Sequence, residues 1–359
     1  MAENAEAENI SSLIAQLQKT DLSSQDLSKL LPSGPLKFAI PLAQFLTANT
    51  HFPFAKTHRI TVRIVRILAA HRVFIEIAGP QTKFGPTALS DFFTVPMLNN
   101  GIKHCVDLGY RSGAGFPAYA KETKYRGLED ELDCPFQYAF RTKLHCFDWW
   151  EEHPREAAQF NSMMTGYGAN RPPSTSMFPV EKSVGKGVDG QQKVLIVEVG
   201  GGLGHDLMLF WDSLPDTQGR LVLQDQPEAI DTTPKGNLHP TIEVMKHDFF
   251  QPQRIKGART YIFKHMLHDW PDHKALTVLR NIKAVMEDGS KLIIIENVLP
   301  EVGPLPIATA GLDFILMIGF AAMERTEKQW EALLAEMGLK ITDRWVKEDG
   351  DGVPEAMLA

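Results

Sequence analysis

The sequence is short of three features, and each shortage excludes a class of protein. It has only three cysteines in 359 residues and no C-x-x-C pair, so neither a disulfide scaffold nor a zinc knuckle is expected. It has no run of about 18 apolar residues, and no transmembrane helix is therefore expected. It also lacks a basic excess, because 37 Lys and Arg face 44 Asp and Glu, and the net charge of −7 argues against broad nucleic-acid binding.

What remains is the composition of an ordinary soluble globular protein, with 43% hydrophobic and 23% charged residues. The length favours about two domains. The N-terminal stretch MAENAEAENISS is acidic and polar, which is unlike a signal peptide. We therefore expect a cytoplasmic protein without a membrane partner.

The first half of the chain predicts a mainly helical domain. Apolar residues recur at helical spacing in ITVRIVRILAA, and the stretch VFIEIAGPQTKFGPTALSDFF then predicts a strand, a Gly-Pro turn, a second strand and a capped helix. This order is typical of a winged-helix unit. A stretch dense in Gly, Pro and Ser marks the boundary that follows. We predict a helical winged-helix domain over residues 1–165, a linker over 166–190 and a second domain over 191–359.

The second domain predicts a different architecture, because short apolar runs alternate with amphipathic helices. The runs are VLIVEV, RLVLQ, TIEVMK, RTYIF and KLIIIE. Such alternation is typical of an α/β fold with a doubly wound, mostly parallel sheet that helices cover on both faces. Ligands of these sheets bind past the carboxyl ends of the strands. The polar features of the sequence fall at those ends: Gly200–Gly204, Asp225, Asp248, Lys264–Asp269 and Glu296.

The glycine cluster in EVGGGLGHDL follows a strand and opens a helix, where glycines let the backbone approach a ligand closely. Asp225 ends the next strand, 21 residues after Gly204, and can accept both hydroxyls of a ribose. The third glycine of the dinucleotide pattern G-x-G-x-x-G is absent. With Asp248 as an acceptor suited to an adenine amino group, the pattern favours an adenosine without a pyrophosphate. This indicates S-adenosylmethionine.

The segment FKHMLHDWPD holds His265, His268 and Asp269, and it has three interpretations: a metal site, a base with its carboxylate, or a polar turn. A metal needs at least three converging ligands, and no cysteine or further acid lies at ligand spacing. We therefore predict no metal site. We interpret His265 as a buried histidine of the turn, and for His268 both the turn and the base remain open.

The chain resembles the S-adenosylmethionine-dependent small-molecule O-methyltransferases of plant caffeate type, above all their fungal secondary-metabolite relatives. The resemblance covers about residues 60–359 and rests on the ordered segments VLIVEVGGGLGHDL, LVLQDQPEAI, HDFF, FKHMLHDWPD, IIIENVLP and ERTEKQW. It implies a Rossmann-like class I methyltransferase domain, a small aromatic or phenolic acceptor, and an N-terminal domain for dimerisation and for covering the substrate. The region before the winged helix is shorter here than in the family, which leaves the homodimer open.

The resemblance also assigns roles to individual residues. The residues implied for the cofactor are Gly200, Gly202, Asp225, Asp248, Phe249, Lys264 and Met164. The residues implied for catalysis are the base His268, the flanking acids Glu296 and Glu324, and Asp269 as a further site residue. Walls of the acceptor pocket are expected from four residues, with core packing as the alternative for each: Phe140, His145, Phe314 and Met317.

A base fits this chemistry, because methyl transfer from a sulfonium needs the acceptor oxygen in position and freed of its proton. A phenol has a pKa of about 10 and a histidine a pKa of about 6.5, so an imidazole is suited to take the proton. A carboxylate then fixes the tautomer and stabilises the imidazolium. We expect Glu296 to end the fifth strand and Glu324 to open a helix. For Glu324 the alternative to a catalytic role is that of an acid in the first helical turn, where the helix dipole favours negative charge.

Three other functions fit parts of the sequence. Methylation of a carboxylate needs no base, and a rearrangement or cyclisation keeps the cofactor without methyl transfer. A DNA-binding regulator would use the basic residues of the winged-helix pattern, which are His58, Arg59, Arg63, Arg66 and Arg72. The acidic net charge disfavours that function. Arg141 either pairs with an acidic substrate or points to solvent.

Overall fold

The chain divides into two compact units, Met1–Ala114 with Cys146–Arg171, and Gly115–His145 with Pro172–Ala359. The computed structural model describes residues 58–79, 83–169, 172–184, 193–214, 219–232, 238–346 and 351–359. Residues 115–145 group with the second unit although they precede part of the first. The predicted boundaries at 165 and 190 stay a prediction. None of the helices in the described ranges is long and apolar enough to cross a membrane.

The helices and strands of the described residues follow one another along the chain. They are α1 (His58–Ala70), β1 (Phe74–Ile77), β2 (Lys83–Pro86), α2 (Ala88–Phe92), α3 (Pro96–His104), a π-helical turn (Cys105–Tyr110), α4 (Arg111–Glu122), α5 (Pro135–Phe140), α6 (Cys146–Glu151), α7 (Pro154–Ala169), a 3₁₀ turn (Ser174–Ser176), α8 (Val180–Val184), β3 (Val194–Val199), α9 (His205–Ser213), β4 (Arg220–Asp225), α10 (Pro227–Thr232), β5 (Ile242–Lys246), β6 (Thr260–Lys264), a 3₁₀ turn (Leu267–Asp269), α11 (Asp272–Lys283), β7 (Lys291–Leu299), α12 (Ile307–Phe320), β8 (Arg325–Thr326), α13 (Glu327–Glu336), β9 (Leu339–Val346) and β10 (Asp351–Leu358).

The first unit combines helices with one antiparallel ribbon, formed by β1 and β2. A capping box starts α2: the Thr87 hydroxyl accepts the Ser90 N–H, and the Ser90 hydroxyl accepts the Thr87 N–H. Leu68, Val73 and Leu89 form a buried cluster beneath these elements. The order of helix, two strands and capped helix agrees with the predicted one. Its identification as a winged helix stays a prediction.

The second unit is built on a sheet with strand order β5-β4-β3-β6-β7-β10-β9, and β8 pairs with β7 off this path. The first five strands of this order run parallel, whereas β10 runs antiparallel to both β7 and β9. All 6 residues of β3 are buried, as expected for a strand with helices on both faces. The predicted α/β fold with a mostly parallel sheet is therefore confirmed.

The strand order reverses between β3 and β6, and such a switch point is where parallel sheets bind ligands. The core beneath it joins strand residues to α8 and α9. Its buried members include Leu195, Ile196, Leu221, Leu223, Ile262 and Ile293, together with Val180, Val184, Leu207 and Phe210. The helix α8 lies within the segment 166–190 and yet contributes two residues to this core.

Two predicted element ends are wrong. The last residues of β7 pair with β8 and prolong the strand, so Glu296 lies inside β7 and not at its end. Glu324 precedes β8, and α13 begins only after Thr326, whose hydroxyl accepts the Gln329 N–H. Thr326 therefore caps the helix, and the helix-dipole explanation of Glu324 is wrong as well.

Candidate active site

The glycine loop joins β3 to α9 and has a left-handed backbone at three positions. Gly200, Gly202 and Gly204 have φ values of 71°, 57° and 75°, a region that favours glycine. A Cβ at Gly204 would lie 2.7 Å from a methyl carbon of Leu238, so the turn requires glycine there. A Cβ at Gly202 would meet nothing within 4 Å. The loop is therefore tight at its end and leaves room for a ligand at its middle.

Asp225 joins this loop to the end of β4. Its Oδ2 accepts the Gly202 N–H at 2.7 Å, and its Oδ1 accepts the Gln226 N–H at 2.7 Å. Burial raises the pKa of Asp225, and the two hydrogen bonds oppose that rise. Each carboxylate oxygen keeps a further acceptor position. The two oxygens therefore fit the two hydroxyls of a ribose held near Gly202.

Asp248 and Phe249 follow β5 at the neighbouring strand end. Asp248 Oδ1 accepts the Phe250 N–H at 2.9 Å, and its Oδ2 accepts the Gln251 side chain at 3.3 Å. An atom of the Phe249 ring lies 4.0 Å from the place where a Cβ of Gly200 would stand. The Phe249 ring thus lies beside the glycine loop, and the acid that precedes it in the chain follows the neighbouring strand.

Lys264, predicted to reach the tail of the cofactor, is bound to an acid that the sequence reasoning missed. Its Nζ lies 2.7 Å from both carboxylate oxygens of Asp206, and Ser174 donates its hydroxyl to the same carboxylate. Glu198 is buried against the loop, where burial and the charge of Asp206 hold its pKa well above the usual range. Lys264 and Asp206 therefore form a partly buried ion pair beside the glycine loop, next to a carboxyl group whose proton is held. The position of Asp206 in GGGLGHDL, directly after the glycines, is the signal that could have found it.

His268 lies in the 3₁₀ turn that follows β6. Glu296, on the neighbouring strand β7, holds this turn, because its Oε1 accepts the backbone N–H groups of residues 266–268 at 3.1, 2.9 and 3.3 Å. Burial raises the pKa of Glu296, but the imidazoles of His268 and His265 and the Met266 N–H outweigh this effect and bring the pKa below its usual value. The buried carboxylate therefore fixes the turn against the sheet.

The His268 imidazole faces carboxylates at both ring nitrogens. Its Nδ1 lies 3.1 Å from Glu324 Oε1 and 3.2 Å from Glu296 Oε2, whereas its Nε2 lies 3.6 Å from Asp269 Oδ1. Burial alone lowers the pKa of His268, but the three carboxylates outweigh it and raise the pKa to about 10. Burial likewise raises the pKa of Asp269, to about 7, against the opposite effect of His268. The site thus holds a strongly basic imidazole oriented through Nδ1.

Glu324 is held by two residues that the sequence reasoning missed. Asn297 donates from Nδ2 to Glu324 Oε1 at 2.6 Å, and Asp313 on α12 accepts the Glu324 backbone N–H at 2.9 Å. Asn297 directly follows Glu296 in IIIENVLP, but nothing in one sequence indicates that its amide reaches another acid. Hydrogen bonds therefore fix Glu324 at its carboxylate and at its backbone N–H.

The His268 turn and the neighbouring strand β7 together place three residues whose atoms could hold a metal. The donor atoms of His265, His268 and Glu296 lie within 4.8 Å of one another, and His265 Nδ1 is 3.7 Å from Glu296 Oε2. Attraction between an imidazole and a carboxylate accounts for these distances without an ion. The prediction that the site holds no metal stays a prediction, which a chelator tests.

Two of the residues predicted for the acceptor pocket take part in aromatic stacking. His145 stacks on Trp270, with ring centroids 4.5 Å apart, and burial lowers its pKa to about 4. Phe140 stacks on Phe136 at 4.6 Å. Core packing accounts for these contacts, and a role of either residue in acceptor binding stays a prediction.

The remaining predicted residues lie on three helices. Phe314 and Met317 are on α12, where Phe314 is 43% exposed and Met317 is half-buried. Met164 is on α7 in the first unit. Arg141 is exposed at the left-handed position that ends α5, with a φ of 54°, which agrees with the solvent-facing interpretation. The acceptor and cofactor roles of Phe314, Met317 and Met164 stay predictions.

A family model described as the O-methyltransferase domain matches residues 121–340, which hold the glycine loop, the His268 turn and both flanking acids. The chain belongs to the O-methyltransferase domain family. It is an S-adenosylmethionine-dependent methyltransferase, and the predicted family and cofactor are confirmed. The residues fit that cofactor, because room at Gly202 adjoins a carboxylate that suits a ribose.

Similar proteins of known name extend this result. Demethylsterigmatocystin 6-O-methyltransferase of Aspergillus flavus is 32% identical over 346 residues, which cover 91% of this chain and 86% of that protein. A solved structure of LepI in complex with SAM is 27% identical, with a TM-score of 0.80 over 98% of this chain and 94% of that one. A solved structure described as a pericyclic reaction enzyme has the same 27% identity and the same TM-score of 0.80. The relatives support O-methylation of secondary metabolites, although the description of one of them names a pericyclic reaction.

Proposed function

We propose that this chain methylates a hydroxyl, phenolic in character, of a small secondary metabolite, with His268 as the general base. The proposal is carried by the His268 imidazole, whose Nδ1 lies 3.1 Å from Glu324 and 3.2 Å from Glu296, both fully buried. This is the arrangement that orients a histidine to accept a proton at its other nitrogen and stabilises the imidazolium that results.

S-adenosylmethionine, when bound, supplies a methyl group activated by a positively charged sulfur. Several residues hold its parts in this proposal. Asp225 accepts the ribose hydroxyls, and Gly200 and Gly202 line the methionine part. Lys264 reaches the tail of the cofactor, and Asp206 holds the Lys264 ammonium in position. The adenine is framed by Asp248 and Phe249.

His268 removes the proton of the acceptor at Nε2, the nitrogen that does not contact Glu324 or Glu296. A lone pair of the acceptor oxygen forms the new O–C bond, while the S–C bond breaks and its electrons return to sulfur. The carboxylates that raise the pKa of His268 stabilise the imidazolium that forms when the ring takes this proton. At neutral pH the raised pKa keeps most of the imidazole protonated, so the transfer proceeds from the unprotonated fraction.

The test uses methyl-labelled cofactor, a library of small phenols and mass spectrometry. We expect the wild-type protein to transfer one labelled methyl group to oxygen, and His268→Ala to lower the rate by about 10²- to 10⁴-fold. The affinity of His268→Ala for S-adenosylhomocysteine should stay at the wild-type value. His273→Ala removes a histidine that is 57% exposed and serves as the matched control, with the wild-type rate expected.

Wild-type activity in His268→Ala would contradict the role of the base. Labelling of carboxylic acids in place of phenols would point to carboxylate methylation, which needs no base.

A rearrangement or cyclisation is the second candidate, and the relative described as a pericyclic reaction enzyme favours it. Such a reaction consumes its substrate without label transfer. The two buried carboxylates favour methylation, because they orient the imidazole and stabilise the charge that it gains on removing a proton. Substrate turnover with unlabelled product would establish the second candidate.

A further inference from the structure

Arg325 is a buried cation next to the site, and the proposed function gives it no role. Only 1% of its side chain is exposed. Its Nη1 donates to the Leu267 carbonyl at 3.0 Å, and its Nη2 donates to the Trp270 carbonyl at 2.9 Å. Asp272 accepts two further bonds, from Nε at 2.9 Å and from Nη2 at 2.7 Å. The two carbonyls bracket His268 in the chain, so the guanidinium ties together both ends of the turn that carries the base.

An aromatic ring holds the guanidinium in place. Its central carbon lies 5.1 Å from the centroid of a ring of Trp330, which is within the range of cation–π attraction. Trp330 is 1% exposed and lies on α13. A planar fork that is bonded to two carbonyls and stacked on a ring is a geometry that lysine does not reproduce.

The chain segment of Arg325 also delivers the acid that meets the imidazole. Glu324 is the preceding residue, and its Oε1 lies 3.1 Å from His268 Nδ1. The segment is fixed to the sheet, because Arg325 pairs with Val298 of β7. One short piece of backbone therefore sets both the position of the His268 turn and the position of its carboxylate partner.

We propose that Arg325 is a positioning residue for His268, and that it sets the distance and angle between the imidazole and Glu324 by fixing the Leu267 and Trp270 carbonyls. The inference rests on the proposed function, in which His268 is the base. Arg325 acts through the backbone of the turn. The titratable groups that face the imidazole itself are Glu324, Glu296, Asp269 and His265.

Deuterium exchange at the C2 carbons of histidines, followed by mass spectrometry over a pH series, measures each histidine pKa without turnover. Arg325→Lys keeps the charge and loses the fork. We expect the pKa of His268 to move by about one unit or more towards about 6.5, because the imidazole is no longer held at its carboxylates. His104, buried in the first unit, is the internal reference and should not move.

Arg344→Lys is the matched control, because it makes the same change at an exposed arginine that pairs with Glu327 and Glu331. It should leave the pKa of His268 at the wild-type value. An unchanged His268 pKa in folded Arg325→Lys protein overturns the proposal. If Arg325→Lys does not fold, the test uses Asp272→Asn, which removes the charge of the exposed partner of Arg325. A smaller shift of the His268 pKa in the same direction supports the proposal, and an unchanged His268 pKa overturns it.

Kinetics separate positioning from a general structural effect. With an acceptor from the phenol library, Arg325→Lys should lower kcat about tenfold or more and leave KM for S-adenosylmethionine unchanged. In a His268→Ala background the same substitution should have no further effect, and an added loss there overturns the proposal. If the wild-type protein methylates no hydroxyl, the proposed function fails, while the His268 pKa still decides the role of Arg325.

Discussion

Two buried histidines show that neighbouring groups, more than burial, decide the pKa of a histidine. His145 lies among aromatic rings, and burial lowers its pKa to about 4, so it stays neutral at physiological pH. His268 is buried as well, but three carboxylates raise its pKa to about 10. The residue type is the same, and the sign of the pKa shift is opposite. Only the second environment stabilises an imidazolium, the form that proton removal from an acceptor would produce.

The raised pKa of His268 predicts the pH dependence of the reaction. A protonated imidazole cannot accept a proton, and the unprotonated fraction grows as pH rises towards the pKa and is constant above it. We expect kcat to rise with pH from neutrality and to level off as pH passes the His268 pKa of about 10. Initial rates with a phenolic acceptor, measured at saturating substrate over a pH series, check this.

Ionisation of the acceptor itself gives a second cause for such a rise, and His268→Ala separates the two. The rise that remains in this variant belongs to the acceptor, and the rise that disappears belongs to the imidazole. Identical profiles for both proteins would rule out His268 as the titrating group.

At the scale of elements, the glycine loop combines one glycine needed for packing with one that leaves room for a ligand. Gly202 has a φ of 57° and open space around a Cβ position. Gly202→Ala should cost about 1–2 kcal/mol of stability through the left-handed backbone. It should also weaken S-adenosylhomocysteine binding about tenfold or more, because the methyl group enters the ligand's space. Isothermal titration and thermal unfolding measure the two effects.

Gly303→Ala is the control for this loop. Gly303 also has a positive φ, 116°, and open space at its Cβ position, but it lies in the connection between β7 and α12. Its replacement should lower stability and leave the affinity for S-adenosylhomocysteine unchanged. Equal loss of affinity in both variants would show that backbone strain, and not the occupied space, weakens binding.

The end of α5 carries a strained residue, because Arg141 adopts a φ of 54°. A left-handed residue after a helix is most often glycine, which has no Cβ to clash. We expect Arg141→Gly to raise the free energy of unfolding by about 1 kcal/mol and Arg141→Ala to give no gain, since alanine keeps the Cβ. Thermal or urea unfolding of the two variants checks this. A higher stability of Arg141→Ala would show that the arginine side chain, and not the left-handed backbone, destabilises the wild-type protein.

At the scale of the molecule, the strand order gathers distant segments around one imidazole. The His268 turn, Glu296 and Glu324 come from three places in the chain, and β6, β7 and β8 are consecutive neighbours in the sheet. The site also contains every group that the proposed proton transfer needs. Nothing in that transfer requires an ion.

We therefore expect removal of metals to have no effect. Protein treated with EDTA should keep its rate of methyl transfer and its unfolding temperature, because the carboxylates facing His268 act as hydrogen-bond and charge partners. Loss of activity on chelation, with recovery on adding a divalent cation, would show that His265, His268 and Glu296 hold a metal.

The sequence alone determined the α/β fold of the second unit and the cofactor, because these follow from local patterns. Apolar runs form buried strands, and the glycines and Asp225 come directly after them. The family resemblance named His268, Glu296 and Glu324, but only the tertiary structure decided how these side chains meet. Glu324 is 56 residues from His268, and Arg325 reaches carbonyls 58 and 55 residues away. These contacts depend on β8 pairing with β7 and on the burial that shifts each pKa, and a periodic pattern along the chain encodes neither.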